Sequence, residues 1–182
     1  MYSKLFLPLL LLCLSLQANA ALFSPDLDNI HEKIVNDYEQ VEHLEATQLT
    51  EMDQTDIVLF DVREQKEFDV SHLEGAIQVD PNMTPQEFEE LFANQIEGKT
   101  LVFYCSVGRR SSKLLSEVTE IVEENGANSS YNLVGGVFHW SNQERPLVNE
   151  AQPTAKVHPY NLYWGRLLDD KEAISYKPEE TN

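Results

Sequence analysis

An α/β fold with a mostly parallel sheet flanked by helices is predicted by three features of the chain. Two short segments, Ile57 to Val62 and Thr100 to Tyr104, are apolar without alternation, the pattern of strands covered on both faces. Segments of helical periodicity follow them, and parallel neighbours need crossover connections of that kind. The length of 182 residues with 42% hydrophobic content suits one domain of ordinary size.

The elements follow in order. Leu27, Ile30, Ile34 and Tyr38 recur at helical spacing after Ser24-Pro25, which predicts a helix from about Asp26 to Tyr38. The strand Ile57 to Val62 leads to a short helix, Gln65 to Val70, and a further strand, Ala76 to Val79. Pro85 to Ile96 reads as a helix with Phe88, Leu91 and Phe92 inward. Thr100 to Tyr104 is the next strand. Arg110 to Asn125 is a helix with Leu114, Leu115, Val118, Ile121 and Val122 on its core face, closed by Gly126. Tyr131 to Val134 is a strand ending at Gly135-Gly136, followed by a short helix through Trp140. Beyond Pro146 the chain reads as loop, but Tyr160, Leu162, Tyr163, Trp164, Leu167 and Leu168 give that tail enough apolar surface to pack in part.

The first 20 residues have the layout of a secretory signal peptide. Lys4 precedes an apolar run from Leu5 to Leu16, too short to span a bilayer comfortably, and Ala18-x-Ala20 supplies small side chains for cleavage before Ala21. The expectation is export to a periplasm or the medium, with no membrane attachment after cleavage. Cleavage removes Lys4 and Cys13, leaving 12 basic residues against 31 acidic ones, a net charge of −19, and a single cysteine, Cys105. A surface this acidic repels phosphate backbones, so nucleic acid is an unsuitable partner. A lone thiol in an oxidising compartment forms no internal disulfide; it is either inert and buried or kept for chemistry.

Chemistry is favoured by what surrounds it. In open α/β sheets ligands collect beyond the carboxyl ends of the strands. Asp61, Cys105 and Gly135-Gly136 each end a strand, and parallel neighbours would bring all three to one crevice. From Cys105 the segment Ser106-Val107-Gly108-Arg109-Arg110-Ser111 runs straight into the long helix. A turn of this kind aims successive backbone N–H groups and the positive end of a helix dipole at one point, which lowers the pKa of a thiol held there. Gly108 supplies backbone freedom, and Arg109 and Arg110 add positive charge.

These residues sit in a longer pattern. Asp61-Val62-Arg63-Glu64, Glu67-Phe68, Ser71-His72-Leu73-Glu74-Gly75-Ala76, Cys105-x-x-Gly108-x-Arg110-Ser111, and Gly135-Gly136 with Trp140 occur in the order and spacing of a single-domain rhodanese. The chain resembles that family over residues 40–148, with residues 21–39 as an N-terminal helical extension and 149–182 as a partly packed tail. It departs from many relatives at Ser71, where they carry glycine, and at Ser106, where they carry arginine.

The resemblance implies a three-layer fold with a mostly parallel sheet, and sulfur transfer through a persulfide. Cys105 would attack the outer sulfur of a small anionic donor such as thiosulfate and pass that sulfur to cyanide or a thiol. Backbone N–H groups from Ser106, Val107, Gly108, Arg109 and Arg110 would hold the persulfide's charge. Arg110 would stabilise the loop and the donor anion, while Arg109, at the variable position, would point outward. Neither cofactor nor metal is implied.

Two other readings compete. A cysteine phosphatase or arsenate reductase of the same architecture places five residues between its cysteine and arginine, whereas four separate Cys105 from Arg110 here. The intact cysteine, glycine and arginine argue against a non-enzymatic sulfur carrier or binding module. Asp61, Arg63, Glu67 and His72 are assigned to the scaffold, with Arg63 and Glu67 within reach of each other across one helical turn. Trp140 is expected in the core, and His139 and His158 at the surface.

Overall fold

In the computed structural model of the protein, residues 26–150 and 152–179 are described. The expected signal peptide, residues 1–20, lies outside the described residues. Five parallel strands form the main sheet: β1 (His43–Leu44), β2 (Ile57–Asp61), β3 (Ile77–Gln78), β4 (Thr100–Tyr104) and β5 (Ser129–Leu133), in the order β1-β5-β4-β2-β3. The central strand is β4, with Asp61 of β2 in register with Tyr104, and Asn132 of β5 in register with Phe103.

Helices cover both faces, so the three layers implied by the sequence are present. Side chains alternate along the central strands. Leu59, Val102 and Tyr104 enter one core with Leu44, Leu133 and Val137, under α2 (Ala46–Glu51) and α6 (Gly136–Asn142). Phe60, Leu101, Phe103 and Cys105 enter the other, under α4 (Pro85–Phe92) and α5 (Arg109–Glu124). The second core contains an aromatic group in which the Phe60 ring lies 5.4 Å from Phe88 and 5.0 Å from Phe92. Burying each such side chain stabilises the fold by about 1.5–3 kcal/mol. The remaining helices are α1 (Leu27–Asp37), started by Asp26, whose side chain accepts the Asp28 N–H at 3.1 Å, and α3 (Gln65–Val70).

Several expectations change at this level. The helix begun by Pro85 ends at Phe92 and tightens to a 3₁₀ turn over Ala93–Gln95, and Leu91 is exposed rather than inward. Phe88, Phe92 and Ile96 fill the space beneath it, leaving Leu91 on the solvent side. β1 and α2 escape sequence analysis because a two-residue strand and a six-residue helix are too short to display a period. The segment read as loop after Pro146 contains an antiparallel pair, β6 (Leu147–Asn149) and β7 (Gln152–Thr154).

The tail also packs more firmly than its loop-like composition suggests. Val157, Leu167 and Leu168 are buried in the core beside Tyr104, and His158, expected at the surface, is buried with only 3% exposure. Its Nδ1 accepts the Tyr160 N–H at 3.0 Å, and burial lowers its pKa. His139 is half-buried, whereas Trp140 is buried, its indole N–H donating to the Pro146 carbonyl at 2.9 Å.

Candidate active site

The carboxyl ends of β2, β4 and β5 do meet. The Val62 N–H donates to the Tyr104 carbonyl at 2.7 Å, and the Val137 and Phe138 N–H groups donate to the carbonyls of Cys105 and Ser106 at 2.9 and 3.1 Å. Gly136 makes that approach possible. It has φ +56, and a Cβ there would overlap the Cys105 carbonyl oxygen and fall 2.9 Å from the Ser106 carbonyl carbon. The glycine pair therefore presses the first turn of α6 onto the backbone of the cysteine loop.

The loop turns into α5 at Gly108, whose φ of +95 favours glycine. Its base is tied to the sheet where the Ser111 hydroxyl donates to Asn132 Oδ1 at 2.6 Å. Cys105 is 1% exposed, and it is the free cysteine of the described residues. Burial pushes its thiol pKa up; the Arg110 charge and hydrogen bonds from Ser111 and the Val107 N–H outweigh that and hold it below the ordinary thiol value. Together, Ser106, Val107, Arg109 and Arg110 line with Cys105 a cavity of about 190 Å³, completed by Tyr160 and Trp164 from the tail.

Arg110 does not reach for solvent. Its Nη1 donates to Glu67 Oε2 at 2.7 Å and its Nη2 to Glu67 Oε1 at 2.9 Å, and Nη2 also meets Ser106 Oγ at 2.9 Å. Glu67 Oε1 in turn accepts the Ser106 hydroxyl at 3.1 Å, and Oε2 accepts the Glu64 N–H at 3.1 Å. The carboxylate thus fills its acceptor sites while fully buried, as a charged group in the interior must. Burial raises its pKa, but Arg110 and Arg63 hold it below the usual glutamate value.

The pairing expected between Arg63 and Glu67 is therefore replaced. Arg63, fully buried, donates from Nε and Nη2 to the two carboxylate oxygens of Asp61 at 2.8 and 2.6 Å, and from Nη2 to the Ser71 carbonyl at 2.6 Å. His72 stays out of this network and stacks on Phe68 at 3.7 Å between centroids, its Nδ1 3.0 Å from the Phe68 carbonyl. Arg109 lies at the rim, half-exposed and 3.0 Å from Asp37 of α1. Sequence reasoning missed Glu67 as the partner of Arg110, and no local spacing could reveal a pair 43 positions apart. It also missed Tyr160 and Trp164 as walls of the cavity; their only signal was the aromatic content of the tail.

This sheet, with a cysteine loop at the carboxyl end of its central strand, defines a class, and the comparisons agree. The profile of the rhodanese-like domain matches residues 45–143, and the chain belongs to that family. A thiosulfate sulfurtransferase, GlpE, of Coxiella burnetii is 29% identical over 103 residues, covering 57% of this chain and 87% of that protein. The tRNA uridine(34) hydroxylase of Photorhabdus laumondii is 29% identical over 147 residues, and the match spans 79% of this chain but only 40% of that longer protein. Among solved structures, a thiosulfate sulfurtransferase from Pseudomonas aeruginosa superposes with a TM-score of 0.52 at 16% identity, over 69% of this chain and 23% of that one, a likeness of fold.

Proposed function

We propose that the protein is a sulfurtransferase that carries a sulfane sulfur on Cys105, and that it does so after export to a periplasm or the medium. Family membership supports an enzyme of sulfurtransferase type, and the thiosulfate sulfurtransferase among its relatives makes thiosulfate the first donor to test. The observation that carries the reading is the buried Cys105 thiol in the wall of the cavity lined by its own loop, with its pKa lowered by the Arg110 charge and by hydrogen bonding from Ser111 and Val107.

In the first step the Cys105 thiolate attacks the outer sulfur of thiosulfate. The new S–S bond forms as the donor's S–S bond breaks, releasing sulfite and leaving a Cys105 persulfide. The loop N–H groups hold the persulfide's negative charge, and Arg110 keeps the loop in the shape that points them inward. Cyanide or a thiol then takes the outer sulfur and restores the thiolate. With only four residues between Cys105 and Arg110, the ring of amides suits one sulfur atom better than a phosphate group.

The test is thiocyanate formation from thiosulfate and cyanide, with mass spectrometry of the protein for a gain of about 32 Da on Cys105. Repeated turnover is expected, and Cys105→Ser is expected to abolish it with the fold intact. Residual activity above about a tenth of the parent's would exclude a Cys105 mechanism, since loss of a covalent nucleophile costs orders of magnitude. A persulfide without turnover would favour the carrier reading, and hydrolysis of an aryl phosphate faster than thiocyanate formation would favour the phosphatase.

A further inference from the structure

The tail lies beyond residues 45–143, the segment matched to the family, yet it folds across the mouth of the Cys105 loop. It is anchored on both sides of that crossing. Val157 exchanges backbone hydrogen bonds with Ala173 and Ser175 at 2.8 and 3.0 Å, and Asn142 of α6 holds the Leu167 carbonyl and the Asp169 N–H at 2.8 and 2.9 Å. Between these anchors stand Tyr160 and Trp164, which line the same cavity as Cys105.

Tyr160 is held there against a backbone cost. Its φ of +62 is left-handed, a region that crowds a Cβ against the following carbonyl oxygen. The buried His158 ring fixes the turn by accepting the Tyr160 N–H, and the Arg110 guanidinium lies 5.0 Å from the Tyr160 ring centroid. Strain maintained by its surroundings at the mouth of a site points to a role there.

The charges indicate what that role is. Both arginines lining the cavity are paired with carboxylates, Arg110 with Glu67 at 2.7 Å and Arg109 with Asp37 at 3.0 Å. The cavity therefore offers a small anion little uncompensated charge. Val107 and the two aromatic rings offer apolar contact instead.

We infer that Tyr160 and Trp164 form a recognition wall for the carbon body of an organic thiol, and that this wall favours an apolar-bodied thiol over cyanide as the sulfur acceptor. The inference rests on the sulfur-transfer reading above. The acceptor thiol, R–SH, attacks the outer sulfur of the anionic Cys105–S–S⁻ and passes its proton to that sulfur; the S–S bond to R forms as the bond to Cys105 breaks. The products are R–S–SH and the Cys105 thiolate, with atoms and charge conserved and no external oxidant.

The test compares benzyl mercaptan with cyanide as acceptors, with thiosulfate as donor, in the parent, Tyr160→Gly and Trp164→Leu proteins. Glycine suits the left-handed turn, so Tyr160→Gly removes the ring without adding strain, and Trp164→Leu keeps an apolar side chain. In each variant the KM for benzyl mercaptan should rise about tenfold, and the kcat/KM ratio of benzyl mercaptan to cyanide should fall by a similar factor. An unchanged ratio in both variants overturns the inference. If the parent forms no Cys105 persulfide, the sulfur-transfer reading fails by itself. Calorimetric binding of benzyl mercaptan to the Cys105→Ser protein then decides the wall: a Kd about tenfold weaker after Tyr160→Gly supports it, and an unchanged Kd refutes it.

Discussion

Arg110 and Glu67 form a two-point ion pair that joins the cysteine loop to α3, with the carboxylate fully buried and the guanidinium 24% exposed at its side chain. Ser106 closes the triangle by bonding to both partners. Glu67 and Ser106 thereby take both ends of the guanidinium, and on the sulfur-transfer proposal Arg110 positions the loop and lends its charge to Cys105.

Loss of that charge raises the thiol's pKa, because a nearby cation stabilises the thiolate and not the thiol. In Arg110→Ala the pH midpoint of Cys105 alkylation by iodoacetamide is expected to move up. Arg110→Lys should move it less, yet lose the two-point geometry, which a single ammonium cannot reproduce. Its kcat for thiocyanate formation should fall about a hundredfold, as when a preorganised donor is removed, with a smaller change in KM.

Arg109 and Arg110 are adjacent but not equivalent. Arg109 is half-exposed and its partner Asp37 is equally open, a pairing worth about 0–1 kcal/mol. Arg109→Ala should therefore lower kcat/KM far less than Arg110→Ala, and steady-state kinetics on the two variants would expose a reversed assignment.

Acid should unlock the same pair. Glu67 has a folded pKa below its ordinary value, so its contribution to stability is complete above the unfolded value of about 4.3 and is lost as pH falls through the folded one. Urea midpoints measured from pH 7 to pH 3 should decline on the acid side. Glu67→Gln should flatten that decline and cost about 3 kcal/mol at pH 7, since it leaves Arg110 without its counter-charge.

Gly136 carries a steric demand independent of charge. Gly136→Ala must push α6 away from the Cys105 and Ser106 carbonyls and accept a left-handed alanine, for a loss of at least about 2 kcal/mol in urea denaturation. Activity per folded molecule should fall as well, because the displaced backbone is that of the cysteine loop.

Periodicity determined much of this protein where it acts over a few neighbouring residues. The helix Gln65–Val70 and the strand Thr100–Tyr104 coincide with their sequence patterns, and the Cys105 to Arg110 turn could be placed at a strand-to-helix junction from residue types alone. Those features depend on an unbroken apolar run, on capping and on the freedom of Gly108, all of which are local. Tertiary structure decided which partners meet. Arg63 had Asp61, Glu64 and Glu67 within local reach and took Asp61, the last residue of β2, with the Ser71 carbonyl close behind. That left Glu67 for Arg110, across a distance in sequence no period can span. The tail was likewise legible as apolar but not as a wall. Burying Val157, Leu167 and Leu168 against a core assembled from β1, β2, β4 and β5 is what brings Tyr160 and Trp164 to the cavity that Cys105 lines. Only the folded sheet creates the surface on which that burial is favourable.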